Sequence, residues 1–220
     1  PALPDQVREQ LHEAARRLAA SLDYRSAGTV EFVYDAERQE ASFLEVNARL
    51  QVEHPVTEQI TGVDLVAWML RLAGGEKELL DDLVDAETGL GAVPTHGHAV
   101  EARIYAEDPA NDFRPSAGPL TGVQLPTDVR VDGWVSTGTE ITPAYDPLLA
   151  KVIVTAEDRD GALDRLATAL RSTRIDGIEV NLGLLRAVPA LAEVREVSHT
   201  TRTLDRVGDP EPRITVERAG

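Results

Sequence analysis

The chain has no cysteine and a single methionine, Met69. Disulfides and thiolate metal sites are therefore excluded. Basic residues are few, with 22 Lys and Arg against 38 Asp and Glu and a formal net charge of −16. That balance argues against nucleic acid or an anionic membrane as a partner. No apolar run approaches the ~18 residues that a spanning helix needs, and no signal peptide is visible, so a cytoplasmic location is expected. Glycine-rich phosphate loops are missing too, since Gly74-Gly75 is not followed by Lys-Ser or Lys-Thr. There is no internal repeat.

What is present supports a packed core. Hydrophobic residues make up 42% of 220 positions, enough for one large or two modest domains. The chain begins at Pro1 rather than Met and enters a hairpin after one helix, so it reads as excised from something longer. Asp5 to Leu22 has the spacing of an amphipathic helix, with Val7, Leu11, Ala14 or Ala15 and Leu18 on one stripe. Thr61 or Asp64 caps a second helix with Leu65, Trp68, Met69 and Leu72 inward, and Gly74-Gly75 stops it. Glu76 to Thr95 is an acidic connector with one short helix. Strands are expected over 98–105, 120–125, 129–135 and 149–155, and helices over 160–171 and 181–188. The fold class is α+β with a mostly antiparallel sheet and flanking helices.

The densest signal runs from Phe43 to Gly62. It packs Glu45, Asn47, Arg49, Gln51, Glu53 and Glu58 into a short apolar-framed segment. Before it, Gly28-Thr-Val-Glu-Phe-Val-Tyr34 reads as a strand, and the polar turn from Asp35 to Glu40 suggests an antiparallel hairpin. Setting Glu31 opposite Glu45 puts Thr29 against Asn47 and Val33 against Phe43. That register separates a carboxylate face from an apolar one, and a one-residue slip would scramble it. Two carboxylates directly opposite repel. A divalent cation between them reverses the sign, and magnesium takes oxygen ligands at ~2.0–2.1 Å. Asn47, two residues on and on the same face, offers a further oxygen.

Several long motifs carry a resemblance. They are Gly28-Thr-Val-Glu-Phe32, Phe43-Leu-Glu-Val-Asn47, Arg49-Leu-Gln-Val-Glu-His-Pro-Val-Thr-Glu58, Gly97 to Asp108 with its Glu-Ala-Arg-Ile core, Phe113 to Gly118, and Tyr145 to Lys151. Together they resemble the biotin carboxylase component of biotin-dependent carboxylases, which are ATP-grasp enzymes. The resemblance implies the carboxy-terminal part of an ATP-grasp domain over 1–75, a connector over 76–96 and a biotin carboxylase C-terminal domain over 97–206. The residues from 207 to 220 would be a linker and the start of a following domain.

It also implies a chemistry. ATP phosphorylates bicarbonate, the carboxyphosphate is kept dry, and the weakly acidic ureido nitrogen of biotin is deprotonated and carboxylated. By resemblance Glu31, Glu45 and Asn47 hold Mg2+ or Mn2+ on the ATP phosphates, and Val33 lies near the base. Arg49, Gln51 and the backbone amide of Val52 cradle bicarbonate, Glu53 is the general base, and Arg103 meets the biotin anion. Tyr145, Asp146 and Lys151 fall near the active-site rim. The implied partners are a biotin carboxyl carrier domain, the amino-terminal half of the same carboxylase, a downstream carboxyltransferase domain, and a second copy in a homodimer. The family's phosphate lid, its ATP-gripping lysines and an Ala-Met-Lys-Met biotin attachment motif are not in this sequence, so the isolated chain is expected to be inactive.

Trp134 to Lys151 looks most like urea carboxylases, and Arg213 to Gly220 resembles the start of their carboxyltransferase region. The alternatives are an acetyl- or propionyl-CoA carboxylase α chain, a biotin-independent ATP-grasp ligase, and a non-enzymatic assembly module. Three bland readings complete the sequence. His54 precedes Pro55 and is expected to be extended and structural, Glu58 to start the following helix, and His96 with His98 to lack the third ligand of a metal site.

Overall fold

Val7, Leu11, Ala14, Ala15 and Leu18, set at helical spacing, are half-buried with Ala19 in the first helix, α1 (Asp5–Ser21). The computed structural model describes residues 3–76, 79, 93–200, 202–204 and 207. The chain divides into two compact units between Thr95 and His96.

In the first unit, α1 is followed by an antiparallel hairpin of β1 (Thr29–Asp35) and β2 (Glu40–Asn47). Its turn is tied by Asp35, whose Oδ1 accepts from the amides of Glu37 and Arg38 at 2.9 and 3.0 Å. Thr29 pairs with Asn47, Val30 with Val46 and Glu31 with Glu45, as the sequence suggested. Beyond Glu31 the register shifts. Phe32 pairs with Phe43 and Val33 with Ser42, so the expected Val33–Phe43 pairing is corrected. Leu44 is the extra residue of a bulge. The shift lets Phe32 and Phe43 meet edge to face, with ring centroids 6.2 Å apart, an arrangement that aromatic rings favour.

Two short helices complete this unit, α2 (His54–Thr61) and α3 (Leu65–Ala73). The extended backbone expected of His54 is corrected, because it opens α2. A proline in the first turn costs no helical hydrogen bond, and His54 is itself held by the Gln51 carbonyl. Asp64, not Thr61, caps α3 by accepting from the Ala67 amide at 2.8 Å, a contact worth about 1 kcal/mol. Gly74 ends the helix and Gly75 follows at φ +92°.

The second unit is built on β3 (His98–Tyr105). Short pieces follow: β4 (Glu107–Asp108), β5 (Arg114–Pro115), β6 (Gly118–Pro119), β7 (Gly122–Gln124), β8 (Arg130–Gly133) and β9 (Glu140–Ile141). Then come β10 (Leu148–Ala156), α4 (Arg159–Ser172), β11 (Arg174–Asp176), α5 (Leu182–Ala187) and α6 (Ala192–Arg195). The main sheet has the order β3-β10-β8, all antiparallel, with β10 central and buried from Leu149 to Val154. One face packs Ala102, Ile104, Val152 and Val154 against Leu166, Ala169 and Leu170 of α4. Asp158 caps α4 through the Gly161 amide at 2.8 Å.

The strand expected over 120–125 is shorter than its pattern. Only β7 pairs there, with β11, a strand that the sequence reading missed. The helix expected from Asn181 starts one residue later because the Asn181 side chain serves β3. Its Oδ1 accepts from the Tyr105 amide at 2.9 Å and its Nδ2 donates to the Arg103 carbonyl at 3.1 Å. At the start of the Phe113 to Gly118 motif, Asp112 and Phe113 are both at positive φ. The short helix expected in the acidic connector and the strand expected over 213–220 lie outside the described residues.

Gly177 has φ +108°, and a Cβ there would stand 2.2 Å from the Pro119 carbonyl oxygen. Gly138 has φ +94° with nothing within 4 Å of such a Cβ. Gly177→Ala should therefore cost about 3 kcal/mol or more, and Gly138→Ala about 1 kcal/mol. Urea unfolding of the two variants checks this. Equal losses would mean that the close approach at Gly177 does not matter.

Candidate active site

The hairpin register sets Glu31 against Glu45, and Asn47 follows on the same face of β2. The Asn47 amide nitrogen donates to Oε1 of Glu31 at 2.7 Å and to Oε1 of Glu45 at 3.0 Å. The same Glu31 oxygen accepts from Nε2 of Gln51 at 3.0 Å. Oε1 of Gln51 accepts from Nη1 of Arg49 at 2.7 Å, and Nη2 of Arg49 donates to Oδ1 of Asn47 at 3.5 Å. Glu31, Asn47, Arg49 and Gln51 thus close a hydrogen-bonded ring, with Glu45 attached through Asn47. The donors offset the repulsion between the two carboxylates.

Among the described residues no three His, Cys, Asp or Glu side chains converge as a metal cluster. A cation at the hairpin would rest on two carboxylates and the Asn47 amide. Turning that amide about its last bond exchanges nitrogen for oxygen and makes the donor set all oxygen, which suits magnesium.

A cavity of about 500 Å³ opens beside the ring, lined by Gly28, Arg49, Gln51, Glu53, His54 and Thr57 among others. Three of the residues expected around bicarbonate, Arg49, Gln51 and Glu53, therefore share one wall. Glu31, Glu45 and Asn47 do not line it, and reach it through Gln51. Val52 lies in the turn between Gln51 and Glu53. Val33 is more than half exposed and sits opposite Ser42, outside the cavity wall.

The turn is closed from the helix side. His54 bonds the Gln51 carbonyl through its amide at 3.3 Å and through ring Nδ1 at 2.8 Å. Nε2 of His54 stands 4.0 Å from Oε2 of Glu58. Glu58 is buried inside α2 and its other oxygen accepts from the Leu65 amide at 2.8 Å. The expectation that Glu58 begins the following helix is thus corrected, because it holds α3 from within α2. Spacing alone gave no sign of this pair, although His54 and Glu58 are four residues apart on a helix face.

Arg103 lies in the second unit, on β3, with its guanidinium exposed and 5.9 Å from the centroid of the Tyr105 ring. Its backbone pairs with Lys151, which pairs in turn with Asp132. Lys151 is buried with Nζ 3.4 Å from Asp132, and Arg130 grips the same carboxylate at 2.9 and 3.0 Å. Burial alone would raise Asp132, but Arg130 and Lys151 outweigh it and hold the carboxyl below its usual range. Tyr145 is 82% exposed, and Asp146 ties the start of β10 by accepting from the Leu148 amide at 2.8 Å. Burial pushes the Tyr105 hydroxyl up, with the Arg103 charge opposing. No third ligand joins His96 and His98 among the described residues.

Residues 101–206 match the model of the biotin carboxylase C-terminal domain, and residues 1–81 that of the carbamoyl-phosphate synthase L chain ATP-binding domain. The chain belongs to the biotin carboxylase family. The urea amidolyase of Lachancea kluyveri is 46% identical to it over 205 residues, 93% of this chain and 11% of that protein. The α subunit of rat mitochondrial methylcrotonoyl-CoA carboxylase is 46% identical over 188 residues, 84% of this chain and 25% of that protein. The crystal structure of Kluyveromyces lactis urea carboxylase superposes with a TM-score of 0.84 at 45% identity, covering 94% of this chain and 18% of that one. The biotin carboxylase domain dimer of Hydrogenobacter thermophilus 2-oxoglutarate carboxylase, crystallised with MgADP, ADP and bicarbonate, gives 0.83 at 38% identity, covering 92% and 43%. The chain spans about a tenth of the length of the urea amidolyases it matches.

On β4, burial pushes the Glu107 carboxyl above its usual range and the charge of Asp146 adds to the effect. The folded state therefore holds this proton more tightly than the unfolded chain, and stability is lost as pH rises through the folded value. Glu107→Gln should melt higher than wild type near pH 7, with the gap closing by about pH 4. Melting curves across pH check this, and a gap that does not depend on pH would contradict it.

Proposed function

We propose that this chain is the carboxy-terminal half of a biotin carboxylase, an ATP-dependent carbon–nitrogen ligase that carboxylates biotin on a carrier domain. The observation that carries the reading is the ring joining Glu31 and Asn47 to Arg49 and Gln51. It links a paired-carboxylate cation site to a cavity wall suited to a small oxyanion. MgATP or MnATP supplies the phosphoryl group that activates bicarbonate, and biotin supplies the nitrogen that takes up the carbon.

The chain's own residues do the holding and the proton handling. Glu31 and Glu45 are the cation ligands, with Asn47 adding its amide oxygen, and Val33 lies beside the nucleotide base. Arg49 presents a planar fork that matches a bicarbonate edge as a lysine cannot. Gln51 and the Val52 amide complete the cradle. Glu53, on the same cavity wall, accepts the bicarbonate proton. Arg103, exposed on β3, neutralises the oxyanion of deprotonated biotin.

Residues 1–75 form the end of the ATP-grasp domain, 76–96 a connector, 97–206 the C-terminal domain, and 207–220 a lead into a further domain. The partners are the amino-terminal half of the carboxylase, a biotin carrier domain and a carboxyltransferase domain, with homodimer formation. Urea is the final acceptor, a reading supported by two yeast urea amidolyases at 46% and 47% identity. An acyl-CoA acceptor is the second reading, favoured by the rat methylcrotonoyl-CoA carboxylase subunit at 46%. Offering urea and acyl-CoA esters to the full-length protein separates the two.

In the full-length protein, Glu31→Gln or Glu45→Gln should raise the magnesium requirement of bicarbonate-dependent ATP cleavage and lower its rate. Unchanged turnover across a magnesium titration would remove both from the site. Arg103→Ala should slow biotin carboxylation by about 10²–10³-fold while ATP cleavage falls less. Arg49→Ala should impair both. Equal losses of the two activities in both arginine variants would contradict the division of labour.

A further inference from the structure

The residue that closes the turn, on the wall of the same cavity, has no part in the chemistry above. His54 contributes two donors to one acceptor, its amide at 3.3 Å and its ring Nδ1 at 2.8 Å from the Gln51 carbonyl oxygen. A carbonyl can only accept, so the ring bond requires the proton on Nδ1. That leaves Nε2 facing the Glu58 carboxylate, 4.0 Å away, and the two side chains are only 15% and 8% exposed. Glu58 is itself fixed by the Leu65 amide at 2.8 Å. The ring is therefore held by one peptide in a largely buried position.

That peptide matters because of what stands at its other end. The carbonyl of Gln51 and the amide of Val52 belong to one planar trans unit, so they point in opposite directions. Gripping the oxygen fixes the direction of the Val52 N–H. The same grip sets the backbone from which the Gln51 side chain reaches Glu31 and Arg49. We propose that His54 is a positioning residue for the anion cradle, aiming the Val52 amide and the Gln51 side chain by holding the Gln51 carbonyl. The proposal rests on the reading of Arg49, Gln51 and Val52 as the bicarbonate cradle. The effect of His54 is on how well a small oxyanion is held.

The test is steady-state kinetics of bicarbonate-dependent ATP cleavage in the full-length protein, with KM for bicarbonate and for MgATP measured separately. His54→Ala should raise the bicarbonate KM about tenfold, the scale of one lost hydrogen bond, with the MgATP KM within about twofold. His54→Asn places an amide N–H near the Nδ1 position and should keep the bicarbonate KM within about threefold of wild type. His54→Gln places its amide nearer the Nε2 position and should behave like His54→Ala. This Asn-against-Gln comparison stands even where His54→Ala fails to fold. Asn no better than Gln, or a parallel rise in both KM values with a lowered melting temperature, overturns the proposal. Arg49→Ala separates this from the underlying reading. If it leaves the bicarbonate KM unchanged, the cradle itself is misassigned. If it raises that KM while His54→Ala does not, the cradle stands and the role of His54 falls.

Discussion

One carboxylate oxygen organises the first unit. Oε1 of Glu31 accepts from Asn47 on the neighbouring strand and from Gln51 beyond the strand's end. Two strands and the turn that follows are thereby tied to one atom. A half-buried carboxylate is costly without donors, and here the donors are the same side chains that a cation and an oxyanion would engage. Asn47 and Gln51 each present both a donor and an acceptor, so each can offer an oxygen to a cation or an N–H to an anion.

The scaffold around that atom suits the task. The two glutamates are fixed on paired strands rather than on a loop, which limits their freedom. The bulge at Leu44 falls immediately after the Glu31–Glu45 pair and leaves it undisturbed. On the other side, α2 begins at His54, directly after the turn that carries Gln51, Val52 and Glu53. In the second unit the frame of Arg103 differs. Its strand is held on one side by β10 and on the other by the Asn181 side chain, which hydrogen-bonds β3 as a further strand would.

Much of this was legible in the residues themselves. Alternation of Glu45, Asn47, Arg49 and Gln51 with apolar neighbours marked one polar face, and opposition of Glu31 to Glu45 sorted the faces in a way that a one-residue slip would scramble. The β3 span and the inward stripe of α1 followed from periodicity. What escaped depended on contacts that spacing does not encode. Leu44 became a bulge because Phe32 and Phe43 pack together. His54 entered a helix despite Pro55 because its ring and amide share one acceptor. The pairing of β11 with β7 rests on three residues whose partners lie about fifty positions away, too short a run to carry an alternation signal. Among the candidate site residues, the cavity gathered Arg49, Gln51 and Glu53, while the hydrogen bond from Gln51 to Glu31 was visible only in three dimensions.

If the Glu31–Glu45 pair with Asn47 receives the divalent cation that accompanies the nucleotide, crystals of the full-length protein grown with manganese and ADP should show it by anomalous scattering. The expected peak lies within bonding distance of both glutamates, with the Asn47 amide turned so that its oxygen faces the ion. A manganese peak elsewhere, with the Asn47 nitrogen still bridging the two carboxylates, would contradict it.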